Sequence, residues 1–375
     1  MAHETTDLST TRRGRTHRGR SRPGRARVRG PLVAALASVA VLAGVLSACG
    51  GEETTTGDGS TPEASSGRLV VYSGRSEELV GPLFERFEQE TGVDLDIRYG
   101  ESDDLALAIE QEGDRGQVDL FVTQSPGAVG YLSAADLLQP IDQAVLDRVR
   151  PEDRSAEGTW VGLSARARVL AYNTTELTPD QLPDSVFDLT DPAWSGRVGV
   201  APTNGSFIDF VSGMRQLVGD ERTEAWLAGM AANASPTYPK NSAILEAVVR
   251  AEVPTGLVNH YYREVAAQED PNLPAANHFF PNGDPGSMLL VTAAAVPTSA
   301  ADPAGAAELM SFLLSDESQK FLADDEFEYP LAIGVAPPGS LPPLTDLPVT
   351  RLDLDRLGDD LTSTIDMIRA SGLQE

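Results

Sequence analysis

From residue 69 onward, hydrophobic and polar positions follow two alternating patterns, which predict alternating strands and helices. A short apolar strand is predicted at residues 69–72. Apolar residues then recur every three or four positions over residues 79–87, which is the spacing of a buried helical stripe. Ser76 is suited to cap the start of this helix, and Gly92 is suited to end it.

The same order of elements continues along the chain. It predicts a mainly parallel sheet with helices on both faces, in which ligands bind beyond the carboxyl ends of the strands. The length of 375 residues, of which 41% are hydrophobic, is enough for two domains with cores of their own. The further predicted strands lie at residues 93–99, 118–122, 169–172, 198–200, 256–258 and 288–296. The further predicted helices lie at residues 103–112, 127–138, 209–217, 221–230, 242–250, 303–315, 318–324 and 352–368.

The N-terminal segment has the composition of an export signal. Nine Arg residues precede residue 30, an apolar run follows at residues 32–46, and small residues lead to Cys49. The run is short for a membrane-spanning helix, which needs about 20 apolar residues. Residues 1–48 are therefore predicted to be a signal peptide, with translation starting at Met1 or nearer Val28.

Cys49 is the only cysteine, and its position after Leu-Ser-Ala resembles the lipobox of bacterial lipoproteins. The resemblance implies cleavage before Cys49 and a lipid on its thiol. The protein would then be anchored at the outer face of the cytoplasmic membrane or in the periplasm. Residues 49–67 are rich in Gly, Ser, Thr and acidic residues, so we expect a flexible tether. A single cysteine also rules out an internal disulfide.

Composition excludes several classes of function. The net charge is −27, and the predicted signal peptide holds nine of the 29 basic residues, so the remaining body is more acidic still. Binding of nucleic acid needs a basic face and is not expected. Only two histidines, His260 and His278, follow the predicted signal peptide, which excludes a multi-His zinc site. His260 is predicted to lie at the surface of a strand. No nucleophile elbow or phosphate-binding loop occurs, and the chain is not expected to be an enzyme.

Tyr261 and Tyr262 stand at the end of a predicted strand. Neighbours on a regular strand point to opposite faces, so the pair alone is consistent with one core and one surface tyrosine. If the strand ends there, both phenols can face a cleft. Two phenolates suit a hard cation such as ferric ion, and ligation would displace the phenol protons.

The segment Thr203-Asn204-Gly205-Ser206 precedes a predicted helix. Backbone N–H groups at a helix start attract anions such as phosphate or carbonate. The same string is also typical of an ordinary capped helix start, and both interpretations stay open. Acidic pairs such as Asp103-Asp104 are typical of solvated helix ends.

Eight short strings, in order, resemble the ferric-ion-binding, periplasmic-type solute-binding proteins of ABC iron transporters. The resemblance covers roughly residues 68–345 and implies an α/β, two-lobe periplasmic-binding-protein type II fold with mixed, mainly parallel sheets and a ligand cleft between the lobes. The strings are residues 71–75 (VYSGR), 118–123 (VDLFVT), 163–169 (LSARARV), 202–207 (PTNGSF), 240–242 (KNS), 259–262 (NHYY), 284–286 (DPG) and 328–331 (EYPL).

The resemblance also implies how the chain is divided. Residues 68–166 would begin the first lobe, residues 167–290 would form the second, and residues 291–345 would return to the first. Residues 346–375 form a C-terminal helical segment that is assigned to neither lobe.

Roles for individual residues follow from the same resemblance. Tyr261 and Tyr262 match paired tyrosines that ligate ferric ion. Phe207 stands where members with extra tyrosine ligands tend to have Tyr, so it suggests the anion-assisted type. The residues that match contacts to a synergistic phosphate or carbonate are Asn204, Gly205, Ser206, Asn241 and Asn259.

Two positions depart from the family pattern. Ser76 and Gln124 replace a His and a Glu ligand of one family type. The first-lobe side would then be completed by water, an anion or Glu77, or else the ligand would be a chelated ferric ion. Arg75 and Arg166 would pair with carboxylates of a chelator or with carbonate, or form a structural ion pair at the hinge.

The predicted function is that of a lipid-anchored, extracytoplasmic binding protein that captures ferric ion with a synergistic anion. It would deliver the ion to an ABC permease and its ATPase, and we expect a monomer. The alternative is the same fold binding a ferric chelate, a small organic anion or a polyamine without direct metal ligation.

Overall fold

The structure is a computed structural model that describes residues 67–339, 341–358 and 361–374. The predicted signal peptide, the lipidation site Cys49 and most of the predicted tether lie outside these residues. Within the described part, no helix has the length and apolar character needed to cross a membrane.

Strands and helices alternate along the described chain. The strands are β1 (Arg68–Ser73), β2 (Asp94–Tyr99), β3 (Leu120–Thr123), β4 (Trp160–Asn173), β5 (Val198–Gly199), β6 (Thr255–Asn259), β7 (Ala275–His278), β8 (Leu289–Ala295) and β9 (Tyr329–Pro330). The helices are α1 (Glu77–Thr91), α2 (Ser102–Glu112), α3 (Pro126–Ala134), α4 (Gln143–Leu146), α5 (Gly205–Val218), α6 (Asp220–Ala232), α7 (Asn241–Val249), α8 (Tyr261–Glu269), α9 (Pro303–Leu313), α10 (Asp316–Asp324) and α11 (Leu361–Ala370).

Most predicted elements are confirmed, and the helix ends show why. Helix α1 starts after Ser76 and ends at Gly92, whose φ of 74° is the left-handed conformation that glycine adopts without steric cost. Asp302 caps α9 by accepting a hydrogen bond from the Gly305 N–H, and Pro303 takes the first helical position, where its missing N–H costs nothing.

The sheet is mixed and runs in the order β2-β1-β3-β8-β4-β6-β5, with β7 and β9 also paired to β4. The predicted α/β class is confirmed. Parallel pairing is nevertheless confined to β1–β2, β1–β3 and β5–β6, and the remaining described pairs are antiparallel. The difference arises because β4 and β8 carry the chain out of one half of the molecule and back, so they must run in opposite directions.

Strand β4 is buried along all 14 residues and joins two regions of hydrophobic packing. Its first half, to Ala165, lies in a large cluster with β1, β3, α1 and α9. Its second half, from Val169, lies in two smaller clusters that include α5, α6 and α7. We call these regions the first and the second lobe; the lobe boundaries predicted above stay a prediction.

The sequence pattern missed helices α4 and α8 and strands β7 and β9, and it placed the start of another helix wrongly. The predicted strand ends at Asn259, and helix α8 begins at Tyr261. Strand β7 has only four residues, too few for a clear alternating pattern. The terminal helix begins at Leu361 and not at residue 352, because the preceding segment forms a separate short turn of 3₁₀ helix.

The C-terminal segment contacts both lobes. Leu354 and Leu357 pack in the core of the first lobe, whereas Leu361 and Ile368 pack in the core of the second. Between them, Gly358 lies directly against the backbone of α3, at Gly127 and Tyr131. A side chain at this glycine has no space.

We therefore predict that Gly358→Ala destabilises the protein by about 1–3 kcal/mol, the usual cost of overpacking against rigid backbone. Urea unfolding measures the change. Gly339→Ala is the matched control, since an added Cβ there meets nothing within 4 Å. Equal stability of the two variants would show that the close approach to α3 does not matter.

Candidate functional site

A cavity of about 500 Å³ opens between the two lobes and brings together residues from both. From the first lobe come Arg75, Ser76, Glu77 and Gln124, which were the predicted first-lobe contacts. The second lobe contributes Asn204 and Tyr262, together with Lys240 and Ser242. The predicted residues from distant parts of the chain therefore share one site.

The two tyrosines stack on each other, with ring centroids 4.3 Å apart. They occupy the first turn of α8 and not the end of a strand, so successive side chains do not point to opposite faces. Tyr261 is fully buried, and its hydroxyl has no hydrogen-bond partner within the described residues. Tyr262 is half-buried and lines the cavity. The pair presents one phenol in the interior and one at the cavity wall.

The buried hydroxyl of Tyr261 resists ionisation in this environment. Burial raises the pKa of Tyr261 well above its ordinary value, and the neighbouring Tyr262 adds to the effect. The charges of Arg75 and Arg166 act in the opposite direction. A cation bound to the phenol oxygen would favour the phenolate further, because metal ligation needs the deprotonated form.

The sequence predicted His260 at the surface of a strand, and this prediction is wrong, because the side chain is fully buried. Its Nδ1 accepts a hydrogen bond from the Ala167 N–H at 3.2 Å, so Nε2 carries the proton and donates to the Phe327 carbonyl at 3.0 Å. Burial lowers the pKa of His260 to about 4, so the ring is neutral at pH 7. Both ring nitrogens are thus engaged, and the imidazole supports Tyr261, whose ring it meets edge-on at 6.1 Å.

Strand β4 places two arginines beneath the cavity. Arg166 and Arg168 are two positions apart and therefore lie on the same face of the strand. Arg166 donates to Thr292 Oγ1 at 3.0 Å and to the Gln124 carbonyl. Arg168 donates to Asn259 Oδ1 at 2.9 Å, and burial together with the charge of Arg166 lowers the pKa of Arg168 to about 9. The predicted hinge ion pair of Arg166 is not what holds its side chain, since hydrogen bonds to neutral groups do.

Arg75 adds a third buried guanidinium and does form an ion pair. Its Nη1 donates to Glu328 Oε1 at 2.7 Å, and both side chains are at most 1% exposed. Glu328 also accepts from the Ser164 hydroxyl. Arg75 Nη2 is buried and has no partner within the described residues, although Arg75 lines the cavity. One half of this guanidinium is therefore held in place, and the other half remains available to an anion.

The backbone before Glu328 is strained. Phe327 has a φ of 56°, a left-handed conformation that bulky residues rarely adopt. Its carbonyl accepts the hydrogen bond from His260 described above, and the next residue is the carboxylate that pairs with Arg75. A strained backbone conformation of this kind is kept only where the surrounding contacts hold it in place.

The predicted anion cradle lies at the start of α5. Asn204 Oδ1 caps the helix by accepting from the Ser206 N–H at 3.3 Å, and it also accepts from Asn241 Nδ2 at 3.2 Å. Ser206 Oγ accepts from Asn259 Nδ2 at 3.2 Å. Asn241 Oδ1 is buried without a partner in the described chain. The capped-start interpretation is therefore correct for Asn204, and the predicted anion contacts surround the same helix end.

Gln124 bridges the lobes. Its Nε2 donates to Ser206 Oγ at 2.9 Å, and its backbone carbonyl accepts from Arg166. Gln124 was predicted as a first-lobe metal or anion contact. In the structure its side chain forms a hydrogen bond with Ser206, a residue of the predicted anion cradle. Ser76 and Glu77 are exposed at the cavity rim.

Two important residues carried little signal in the sequence. Glu328 pairs with a residue 253 positions away, and no local pattern reveals such a partner. Arg168 has a weak signal, because two arginines at period two in an otherwise apolar strand are unusual.

We predict that Glu328→Gln destabilises the protein by about 3–5 kcal/mol, because the charge of Arg75 stays buried without its counterion. Chemical unfolding at neutral pH measures the loss. Glu317→Gln, which removes an exposed ion pair with Arg86, should change the unfolding free energy by less than about 0.5 kcal/mol.

The same pair has a defined pH dependence. Burial alone would raise the pKa of Glu328, but Arg75 and Arg166 outweigh it, so the pKa is lowered. The stabilisation is therefore present above the ordinary carboxyl pKa and is lost as the pH falls through the lowered value. A Glu328→Gln variant as stable as the control would contradict this account.

Comparison with known proteins agrees with the geometry. The profile of the family described as bacterial extracellular solute-binding protein matches residues 117–358. The Fe(3+)-binding periplasmic protein of Serratia marcescens is 30% identical over 310 residues, covering 81% of this chain and 90% of that protein. The major ferric iron-binding protein of Neisseria meningitidis serogroup A is 33% identical over 283 residues, covering 74% of this chain and 85% of that protein.

A solved structure gives the same result. The crystal structure of iron-bound HitA from Pseudomonas aeruginosa superposes with a TM-score of 0.77 at 34% identity, covering 81% of this chain and 99% of that one. The two-lobe periplasmic-binding-protein fold predicted from the sequence is thereby confirmed.

Proposed function

This chain belongs to the bacterial extracellular solute-binding proteins, and we propose that it binds ferric ion in the cavity between its lobes. The observation that carries the proposal is the stacked pair Tyr261–Tyr262 at that cavity, with one buried hydroxyl lacking a partner in the described residues. The ferric iron-binding function of the relatives named above supports it.

Charge balance favours an anion in the same cavity. Ferric ion with two phenolates keeps a single positive charge, and three buried guanidiniums, Arg75, Arg166 and Arg168, exceed the two buried carboxyls near them, Glu328 and Asp209. Buried charge is very costly unless it is paired. We propose that phosphate or carbonate completes the site, held by the cradle at Asn204, Gly205 and Ser206.

Two asparagines and one arginine would also contact the anion. Asn241 Oδ1 is buried and has no partner among the residues that the structure describes, and Asn259 connects Arg168 to the cradle residue Ser206. Arg75 Nη2 would reach the anion from the first lobe. Gln124 would act by holding the lobes together through Ser206 and not as a strong metal ligand.

We further propose the cellular setting inferred from the sequence. A lipid on Cys49 would anchor the protein outside the cytoplasmic membrane, and it would pass ferric ion as a monomer to an ABC permease and its ATPase. The two lobes would close on the ligand, with β4 and β8 as the crossing strands, and no catalytic step is involved.

Ferric ion added to the purified protein should produce a visible absorption band from phenolate-to-iron charge transfer. Tyr262→Phe should remove or strongly shift the band, because it deletes one of the two phenolates. Tyr238→Phe, a phenol outside the cavity lining, is the control and should leave the band unchanged. The proposal would be wrong if the wild-type protein showed no charge-transfer band, or if Tyr262→Phe showed the same band as the wild type.

A second candidate is a ligand that brings its own carboxylates, such as a ferric chelate or a small organic anion. It is favoured by Ser76 and Gln124, which provide no anionic ligand, and by Arg75, whose Nη2 has no partner among the described residues. A polyamine is disfavoured by the same cationic groups.

Thermal-shift measurements separate the two candidates, since a ligand that binds only the folded state raises the melting temperature. Ferric ion with phosphate or carbonate should stabilise the protein if the first proposal holds. Stabilisation by ferric citrate or by a free organic anion, without any by ferric ion and inorganic anions, would select the second candidate.

A further inference from the structure

We propose that the carboxylate of Glu101, from the first lobe, occupies the Gly205 end of the anion cradle, so that phosphate or carbonate binds there only by displacing it. Glu101 would therefore set the affinity of the cradle for anions. The inference rests on the proposal above that the cradle binds an anion. Its test uses no iron, so the ferric band is decided separately.

Glu101 stands immediately before helix α2, at the N-cap position. The residues that cap well there are Ser, Thr, Asp and Asn, and the Glu101 side chain makes no capping hydrogen bond to α2. The side chain therefore does not serve its own helix. Of the acidic pair that follows, which was predicted at a solvated helix end, Asp104 is exposed but Asp103 is buried.

The Glu101 carboxyl instead lies at the start of α5, in the second lobe. Its Oε2 is 3.8 Å from the point at which a Cβ of Gly205 would stand. Glu101 and Gly205 also line a second cavity between the lobes, of about 200 Å³. A side chain of one lobe thus meets the helix start that the anion would need.

The start of α5 favours a negative charge. Gly205 is the first residue of the helix, so its N–H has no acceptor within the helix, and the helix dipole is positive at this end. Partial burial raises the pKa of Glu101, and the Gly205 N–H acts in the opposite direction by favouring the carboxylate. The carboxylate is therefore in the environment that an inorganic anion would use.

Other polar groups of the cradle already have partners. The Ser206 N–H donates to Asn204 Oδ1, and Ser206 Oγ accepts from Gln124 Nε2. The Gly205 N–H, which Glu101 faces, is therefore a donor that an incoming anion needs. Two negative charges next to this one group repel each other strongly.

The position of Glu101 is fixed by the next residue. Ser102 is buried, and its Oγ accepts from the N–H groups of Gln124 at 3.0 Å and of Ser125 at 3.3 Å. These hydrogen bonds hold the start of α2 against the loop after β3. Glu101 itself is exposed, so an anion from solvent can reach and displace its carboxyl.

A separate feature of the ligand cavity also points to an anion. Arg75 lines this cavity together with Glu101 and Asn204. Its side chain is 1% exposed, and its Nη2 has no partner among the described residues. A buried donor without a partner is costly. An added anion that satisfies Nη2 as well as the cradle would have an advantage over the Glu101 carboxylate.

The test measures the binding of inorganic phosphate to the iron-free full chain by isothermal titration calorimetry at constant ionic strength. Glu101→Gln removes the charge, and Glu101→Ala removes the whole carboxyl group, and neither change deletes a capping hydrogen bond of α2. Both variants should bind phosphate about tenfold or more tightly than the wild type, because a like charge next to the site is lost.

Glu78→Gln is the matched control. Glu78 is exposed and lines the same cavity, and its side chain does not come within 4 Å of the Cβ position of Gly205. The control variant loses the same charge as Glu101→Gln. Its phosphate affinity should stay within about twofold of the wild-type value, because solvent and salt screen an exposed charge that does not touch the cradle.

Three results would overturn the inference. Equal phosphate affinity in the wild type, Glu101→Gln and Glu101→Ala would show that Glu101 does not compete, and the anion cradle would still stand. An equal gain in Glu78→Gln would show that only the overall acidity matters. Phosphate binding to none of these proteins would contradict both the competition and the proposed anion, while the ferric band would still test the phenolate site.

Discussion

A concentration of guanidinium charge inside the protein is the constraint on which the binding site depends. Arg75, Arg166 and Arg168 are all buried, and the carboxylate of Glu328 is paired directly with one of them, Arg75. Such an arrangement is costly by itself. The chain offsets part of the cost with carbonyl, hydroxyl and amide oxygens from Gln124, Thr292 and Asn259. The part of this cost that these oxygens do not offset makes the cleft suited to anions.

The phenols and the guanidiniums are interdependent in this arrangement. A buried phenol such as Tyr261 is hard to ionise, yet nearby positive charge makes its phenolate less costly. The phenolates, in turn, would pair with that positive charge. A trivalent cation and an anion arriving together satisfy both groups, whereas either alone would leave charge unpaired. The joint binding proposed above would therefore follow from how the interior is charged.

The sequence predicted regular elements well where local signals determine them. Asp302 caps its helix with its side chain and Gly92 ends a helix in the left-handed conformation, whereas Ser76 stands at the predicted helix start without a side-chain capping hydrogen bond. It predicted less well where the partner is far away in the chain. The interlobe hydrogen bond of Gln124 to Ser206 depends on how the two lobes meet, which no pattern of neighbouring residues contains. The tyrosine pair was singled out by the family resemblance together with its residue type, and its helical position was missed.

The path of the chain through the two lobes also governs when the protein can fold. The core of the first lobe contains Leu69 near one end of the described chain and Leu354 near the other, and β8 lies between β3 and β4 in the sheet. The N-terminal part of this lobe therefore cannot complete its core until nearly the whole chain is available. Contacts between residues so distant in sequence form slowly. The first lobe would therefore stay incompletely folded until the segment around Leu354 has left the ribosome, whereas the core formed by residues 169–275 is complete earlier.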